Sequence, residues 1–399
     1  MKPINKINPS HNIAIAMKRD WANLDSLALN LILEKSIEPI YHIWFGFVCK
    51  NWHSISKLNH HYNIQFRSNM LPMLMIPSEK SAEKRKLYSV VANRVYPFEL
   101  TMLNKKRCCG SSYGWLATVD ADNIITWVNP FKDVAPIILP LIDIYMKYKD
   151  CEFNIHKVTL SVDPITSPDD YVVAAIYTNR GVLAFIKAGQ EVWTYIQEND
   201  HFGFIDITFY KGLVYAVDRS KKIVSFELCY SSDPHDIFGR ERRNPNVVLE
   251  RSEDGIYSPL TYLVKSLEGE LWMVRRFITR EEDNINKGTK NFHVFKLELD
   301  RKGEKLIHLL KLESLGDNVL FVGDGDSTSI SASYFSNSLQ KDSIYYSDNY
   351  FNDEPDPYPK GPFDLGIYNV KHESFGLHCH YKSYFKSMAP PIWIAPCFK

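Results

Sequence analysis

Three stretches, Gly114-Trp-Leu-Ala-Thr-Val-Asp120, Gly212-Leu-Val-Tyr-Ala-Val-Asp218 and Gly269-Glu-Leu-Trp-Met-Val-Arg275, share one shape: a glycine, a short apolar run, then a charged residue. Glycine supplies the backbone freedom of a tight corner, and short runs rich in aromatic and β-branched side chains favour buried strands. Each therefore reads as a hairpin turn leading into a core strand. The same punctuation extends both ways, through Leu74–Ile76, Ile124–Val128, Val172–Tyr177, Val182–Ile186, Val192–Ile196, Ile205–Phe209 and Ile223–Phe226. It continues at Tyr262–Val264, His293–Leu297, Val319–Val322, Ser343–Tyr346, Leu365–Asn369 and Pro391–Ile394. Between the runs, Asp120–Asn123, Asn179–Gly181, Arg219–Lys222 and Ser266–Gly269 place Asn, Asp and Gly where hairpin corners need them.

Antiparallel strands at this density need an architecture that hides their edges, and radial blades or a closed barrel do so. A β-propeller is expected over residues 70–399, with a pair of β-sandwiches as the other architecture. Neither a Kelch nor a WD repeat is present, so the blade number stays open. A ring must also bury its last edge, which predicts pairing of a strand near Leu71–Ile76 with Pro391–Ile394. Ser231–Ser258, with its Arg240–Arg243 cluster, and the acidic, Pro-rich Asp348–Pro362 read as loops.

Upstream, over residues 18–60, the period is helical. Leu24, Leu27 and Leu31 make one stripe, and Ile40, Ile43, Trp44, Phe47 and Val48 a second, predicting two amphipathic helices. Asp25 is placed to cap the first, while Pro39 ends it and opens the second, where a missing amide hydrogen costs nothing.

Charge is balanced at 47 Lys+Arg against 47 Asp+Glu, so no long-range field favours nucleic acid or an anionic membrane. No apolar run approaches the length of a membrane span. The polar stretch Met1–His11 reads as no secretory leader, Asn-x-Ser/Thr acceptors are missing, and the seven cysteines show no CxxC spacing. Cytosol or nucleus is the compartment expected.

Two segments carry a resemblance. Asp20-Trp-Ala-Asn-Leu24, leading to Phe47-Val-Cys-Lys-Asn-Trp-His-Ser54, resembles an F-box, with its leucine-rich first helix and a Val-Cys-Lys-x-Trp-x-Ser element. The rest is similar to the β domain of a plant F-box family (KIB-like). The matching phrases include Asn129-Pro-Phe131, Asp206-Ile-Thr-Phe-Tyr210, Tyr215-Ala-Val-Asp218, Trp272-Met-Val274, Ser314-Leu-Gly-Asp317, Leu320-Phe-Val-Gly323 and Pro390-Pro-Ile-Trp393, in order along nearly the whole chain. The resemblance implies an α+β multidomain protein: a small helical F-box module, then a large all-β domain of propeller type. It implies a non-catalytic substrate-receptor subunit of a Skp-cullin-F-box ubiquitin ligase, without cofactor.

The partners implied are a Skp-type adaptor and a cullin through the F-box, and an unknown protein substrate through the β domain. A module this small, with apolar stripes on more than one side, cannot complete its own core, which agrees with adaptor binding. Leu24, Leu27, Ile43, Val48 and Trp52 are the expected adaptor contacts. The chain departs from the F-box pattern at Leu24-Asp25, where Leu-Pro is usual, and at Tyr41 and Trp44-Phe45, which replace a charge pair. A degenerate F-box on an interaction protein with no ligase assembly is the alternative.

For the substrate, the Asp348–Pro362 loop offers Asp353, Glu354 and Asp356 beside Tyr350, Phe351 and Tyr358, a mixture suited to a basic segment. Enzyme chemistry has no motif behind it: Gly-x-Ser-x-Gly and His-Glu-x-x-His are missing. His378-Cys379-His380 lacks the further ligands of a tetrahedral metal site and reads as ordinary strand histidines. Gly323-Asp-Gly-Asp-Ser327 reads as a tight turn, and Lys105-Lys-Arg107 as a solvated basic face.

Overall fold

In the computed structural model, the residues described are 20–36, 38–62, 70–78, 81–101, 107–120, 122–142, 154–178, 181–196, 203–227, 246–250, 260–278, 288–335, 338–349, 364–377 and 391–396. The chain divides into two compact units, Met1–Tyr62 and Asn63–Lys399.

The first unit holds a 3₁₀ turn, Trp21–Asn23, then α1 (Ser26–Glu34), α2 (Pro39–Phe47) and α3 (Lys50–Tyr62). The Asp25 carboxylate accepts from the Ala28 amide at 2.9 Å and caps α1, and Pro39 opens α2, as the sequence predicts. Two expectations are corrected. Three α-helices replace two, because the chain breaks between Phe47 and Lys50 and α3 is tied back to the first turn. The Trp52 indole donates to the Trp21 carbonyl at 2.8 Å, and the Asn51 amide to the Ala22 and Leu24 carbonyls at 3.0 and 3.2 Å. The buried stripe of α1 is Leu29 and Leu33, packed on Phe45 and Ile55, whereas Leu27 and Leu31 face solvent. Leucines on both sides of α1 left the inward face ambiguous to periodicity.

The second unit opens with β1 (Met73–Ser78), β2 (Ser81–Ser89) and β3 (Arg94–Thr101) and then builds four antiparallel meanders in succession. β4 (Arg107–Ser112), β5 (Trp115–Val119), β6 (Ile125–Val128) and β7 (Ile137–Ile138) make the first; β8 (Ile155–Leu160), β9 (Val172–Tyr177), β10 (Val182–Lys187) and β11 (Thr194–Tyr195) the second. The third holds β12 (Phe204–Tyr210), β13 (Leu213–Asp218), β14 (Ile223–Glu227) and β15 (Asn246–Leu249), and the fourth β16 (Leu260–Lys265), β17 (Leu271–Ile278), β18 (Thr289–Leu299) and β19 (Leu306–Leu312). A five-stranded sheet follows, from β20 (Asn318–Val322), β21 (Thr328–Ser331), β22 (Ser343–Tyr346), β23 (Gly366–Asn369) and β24 (Ser374–Gly376). Finally β25 (Ile392–Ile394) returns to β1, giving six sheets among the described residues. Successive contacts of β25 with β4, β4 with β8, β8 with β12, β12 with β16 and β16 with β21 make these the inner strands of a six-bladed β-propeller.

The glycine-led stretches are the second strands β5, β13 and β17. Their corners, Tyr113-Gly114 and Lys211-Gly212, hold positive φ at both residues, the two-residue hairpin turn that matches strand twist. Gly110 serves a different need. A Cβ there would lie 1.9 Å from the Val158 carbonyl oxygen, so glycine lets β4 approach β8 backbone to backbone.

The sequence misses or misreads several elements. β2, β4, β8 and β21 carry Lys, Arg, His or Ser where an apolar run was sought, and Arg107, read as part of a solvated basic face, is buried on β4. Part of the Ser231–Ser258 stretch, read as a loop, is β15, and residues 231–245 and 251–258 lie outside the described residues, Arg240–Arg243 included. The fifth blade breaks the antiparallel pattern, since β20 pairs in parallel with β22.

Ring closure follows expectation: β1 and β25 pair antiparallel, with Met73 opposite Ile394, Leu74 opposite Trp393 and Met75 opposite Ile392. Trp393 also donates from its indole to the Val322 carbonyl at 3.1 Å and packs edge-on against Phe321, so it locks two blades at once. Removing residues 388–399 therefore lowers the unfolding free energy of the whole propeller, by roughly 5 kcal/mol given the cost of deleting one buried aromatic. Thermal denaturation followed by circular dichroism should show one transition moved down as a unit; an unchanged melting temperature contradicts the closure.

Candidate functional site

Two surfaces qualify as functional, one on each unit. On the helical unit, Leu27 (69% exposed), Phe47 (81%) and Val48 (53%) stand in solvent, with Leu31, Trp44 and Leu58 also exposed. So much exposed apolar surface on so small a body makes it a candidate interaction face. Of the expected contacts, Leu27 and Val48 point outward and Ile43 is half-buried. Leu24 and Trp52 instead pack against the internal core, with the Trp52 ring centroid 4.4 Å from that of Phe45. They shape the face more than they form it. Tyr41 and Trp44, which replace the charge pair of the F-box pattern, lie ring against ring at 5.8 Å.

On the propeller, polar side chains converge where the inner strands β8, β12 and β16 begin. Lys157 of β8 and Asp206 of β12 form a buried ion pair, and the second oxygen of Asp206 accepts from the Leu263 amide of β16 at 2.7 Å. One carboxylate thus joins three blades. Burying both charges costs heavily in solvation, so the pair is held for geometry more than for net stability. Nearby, Thr159 of β8 donates to Asp326 at 3.0 Å, and Ser112 of β4 donates to the same oxygen. Burial pushes the Asp326 carboxyl up to about 6, opposed by Lys157 and by these hydrogen bonds. The other oxygen of Asp326 is buried with no partner. His156 is held neutral, down at about 4, chiefly by burial and then by the charge of Arg107.

A second polar hub surrounds Arg276 of β17, which is fully buried. Its guanidinium donates to Thr289 at 2.7 Å, the Ser347 carbonyl at 2.8 Å, Asp364 at 3.0 Å and the Tyr262 hydroxyl at 3.2 Å, and lies 4.7 Å from the ring centre of Tyr346. The Tyr262 hydroxyl in turn donates to Asn349 at 2.6 Å. Burial pushes Asp348 up to about 6, with Arg276 opposing and Asp364 adding to the rise.

Asn349 lies at the start of the acidic segment that sequence singles out and Asp364 just past its end, and Asp353, Glu354 and Asp356 themselves lie outside the described residues. So do His378, Cys379 and His380. Among the described residues, no group of three or more His, Cys, Asp or Glu is placed to hold a metal. Nor, among them, is any helix long and apolar enough to cross a membrane. Sequence reasoning missed Lys157 and Arg276, because a lone polar residue inside a strand has no spacing signal. Asp206 stood in a quoted phrase, and its charge inside an otherwise apolar strand was the clue.

Asp326 generates a pH prediction. Its folded pKa lies above the ordinary carboxylate value, so its stabilising contribution is complete below about pH 4 and is lost as pH rises through about 6. The Asp326→Asn variant should match wild type near pH 3 and exceed it by about 3 kcal/mol at pH 7.5, measured by urea unfolding. A wild-type-to-variant difference that does not change with pH contradicts this reading.

Comparison with known proteins finds similar chains over nearly the whole length. Over 94% of its length this chain is 24% identical to 95% of the F-box protein SKIP23 of Arabidopsis thaliana. Over 80% of its length it is 23% identical to 82% of a putative F-box protein of the same plant. A solved β-propeller domain, that of Cps50 (Swd1) from Myceliophteria thermophila, aligns over 57% of this chain and 67% of its own with 11% identity and a TM-score of 0.33. Residues 87–369, from β2 to the end of β23, match the KIB1-4 β-propeller family, and the chain belongs to that family.

Proposed function

We propose that this protein is the substrate-receptor subunit of a Skp-cullin-F-box ubiquitin ligase, with the helical unit binding a Skp-type adaptor and the propeller binding the protein to be ubiquitylated. The observation that carries the reading is the outward apolar face of the helical unit, Leu27, Phe47 and Val48 above all, on a chain whose relatives are F-box proteins. Helices from an adaptor would cover that face and complete a core that Leu29, Leu33, Phe45 and Ile55 only begin. The cullin joins through the adaptor.

In this reading the chain performs no bond chemistry of its own. It raises the effective concentration of a substrate lysine near the ubiquitin carrier, as any tether does. The setting is the cytosol or nucleus, where Cys49, Cys108 and Cys109 stay reduced thiols. The acidic residues Asp353, Glu354 and Asp356 are the substrate contacts proposed from sequence, for a basic segment of the substrate.

Adaptor binding is tested by Leu27→Asp together with Val48→Asp, because both side chains are exposed and their replacement leaves the internal core alone. Co-purification with a Skp-type adaptor should be lost while helicity and melting temperature hold. Leu24→Ala with Trp52→Ala should also abolish recovery, through loss of the core that shapes the face as well as through lost contact. Undiminished adaptor recovery by the surface pair sinks the proposal.

Charge reversal of Asp353, Glu354 and Asp356 to Lys addresses the substrate side. Capture of a substrate identified by proximity labelling with the proteasome blocked should weaken and should depend on salt in the wild type, with adaptor binding intact. Equal capture by the reversed protein at low salt removes the acidic residues from the substrate surface.

A further inference from the structure

We infer that the Gly323–Ser327 turn is an axle inside the propeller: it crosses the channel from the fifth blade, ties blades on the far side to it, and makes the ring open as one unit. It does so whether or not the chain joins a ligase.

The residues of the turn suit the place. Gly323, Gly325 and Ser327 are small and Asp324 and Asp326 are short, so the segment carries nothing too bulky for a narrow channel. Corners elsewhere differ. A side chain added at Gly212 or Gly269, at the β12–β13 and β16–β17 corners, would meet nothing within 4 Å. A Cβ at Gly325 would stand 3.0 Å from the Trp393 carbonyl oxygen and 3.3 Å from the Ile392 side chain, so the β20–β21 turn lies against the inner strand β25 instead of projecting outward.

Hydrogen bonds carry the turn further across. The Asp326 amide donates to the Ser111 carbonyl of β4 at 3.2 Å, and the Asp326 carboxylate accepts from Ser112 of β4 and, at 3.0 Å, from Thr159 of β8. Contacts between inner strands run β25, β4, β8, β12, β16, β21, so β8 stands opposite β21 in the ring. A residue two positions before β21 that reaches β8 must pass through the middle. Asp324 gives the same result independently: it is 8% exposed and lines one recess with Lys157 of β8, Asp206 of β12 and Tyr262 of β16. The space left beside it is about 30 Å³, the share of one water molecule.

A turn held this way couples the blades. For the fifth blade to swing out, the bonds to Ser111, Ser112 and Thr159 must break. For the first or second blade to leave, the Asp326 carboxylate must give up hydroxyl donors in a place shut off from water, where an unpaired group is costly. The same few bonds therefore oppose local opening from either side of the channel, and distant strands are drawn into one cooperative unit.

The test is amide hydrogen exchange on the full chain, read peptide by peptide with mass spectrometry. Thr159→Val removes the β8 hydroxyl that reaches the turn, and residues 323–331 in the opposite blade should then exchange about tenfold faster. Gly325→Leu, whose side chain cannot share the space of the Trp393 carbonyl, should displace the turn, speed exchange in β4, β8 and β25 together, and lower the melting temperature of a single transition. Gly288→Leu, where an added side chain meets nothing within 4 Å, is the control and should change none of these. If Gly325→Leu does not fold, Gly325→Ala is read in the same way. Faster exchange confined to β8 and its neighbours β4 and β12 in Thr159→Val, or to β20 and β21 in the Gly325 variant, overturns the inference.

Discussion

The larger unit depends on the pairing of Met73–Met75 with Ile392–Ile394. A ring of blades has two free edges until its ends meet, and an open edge exposes a row of unpaired amides and carbonyls. Here the C-terminal strand enters as the innermost strand of a blade whose outer three strands come from the start of the domain. The join is reinforced sideways. Ser111 of β4 donates to the Trp393 carbonyl at 2.6 Å, and the Trp393 indole reaches the Val322 carbonyl, so β25 is tied to the blade on each side. Strands separated by most of the chain must find one another, a topology that makes folding slow and its product cooperative.

From ring closure follows the chemical character of the interior. Inner strands of a propeller have neighbours on both flanks but only a narrow channel in front, so their channel-facing residues are neither in bulk water nor in an oily core. Polar groups placed there need partners, and the partners lie on other blades: Lys157 with Asp206, Asp206 with the Leu263 amide, Ser112 and Thr159 with Asp326. The ring is therefore stitched together by polar side chains that reach between blades. Buried carboxyls at Asp326 and Asp348, both raised to about 6, are a consequence of that placement.

This explains what was legible in the sequence. Second strands such as β5, β9 and β13 lie between neighbouring sheets and are almost wholly buried, so they read as continuous apolar runs and gave the fold away. Inner strands such as Arg107–Ser112 and Thr328–Ser331 have no such run, because one side of them faces the channel. β15, between two stretches rich in charge, carries only Val247, Val248 and Leu249 as a signal. In the helical unit the F-box phrase located the module, but not its inward face: Leu27 and Leu29 are equally apolar, and only packing against Phe45 and Ile55 separates them. Buried polar residues were the least readable, since Lys157 and Arg276 acquire meaning only when blades distant in sequence converge.

In the reading proposed above, the two units divide the work of a receptor: the helical unit offers an apolar face that its own core leaves uncovered, and the propeller a closed ring whose blades are joined by buried polar groups. The measurement that tests this account most directly is the mass, by size-exclusion chromatography with light scattering, of the full chain mixed with a Skp-type adaptor and a cullin. The account predicts a stable species containing one copy of each. A chain that elutes alone at its own 46.3 kDa with adaptor in excess would contradict it.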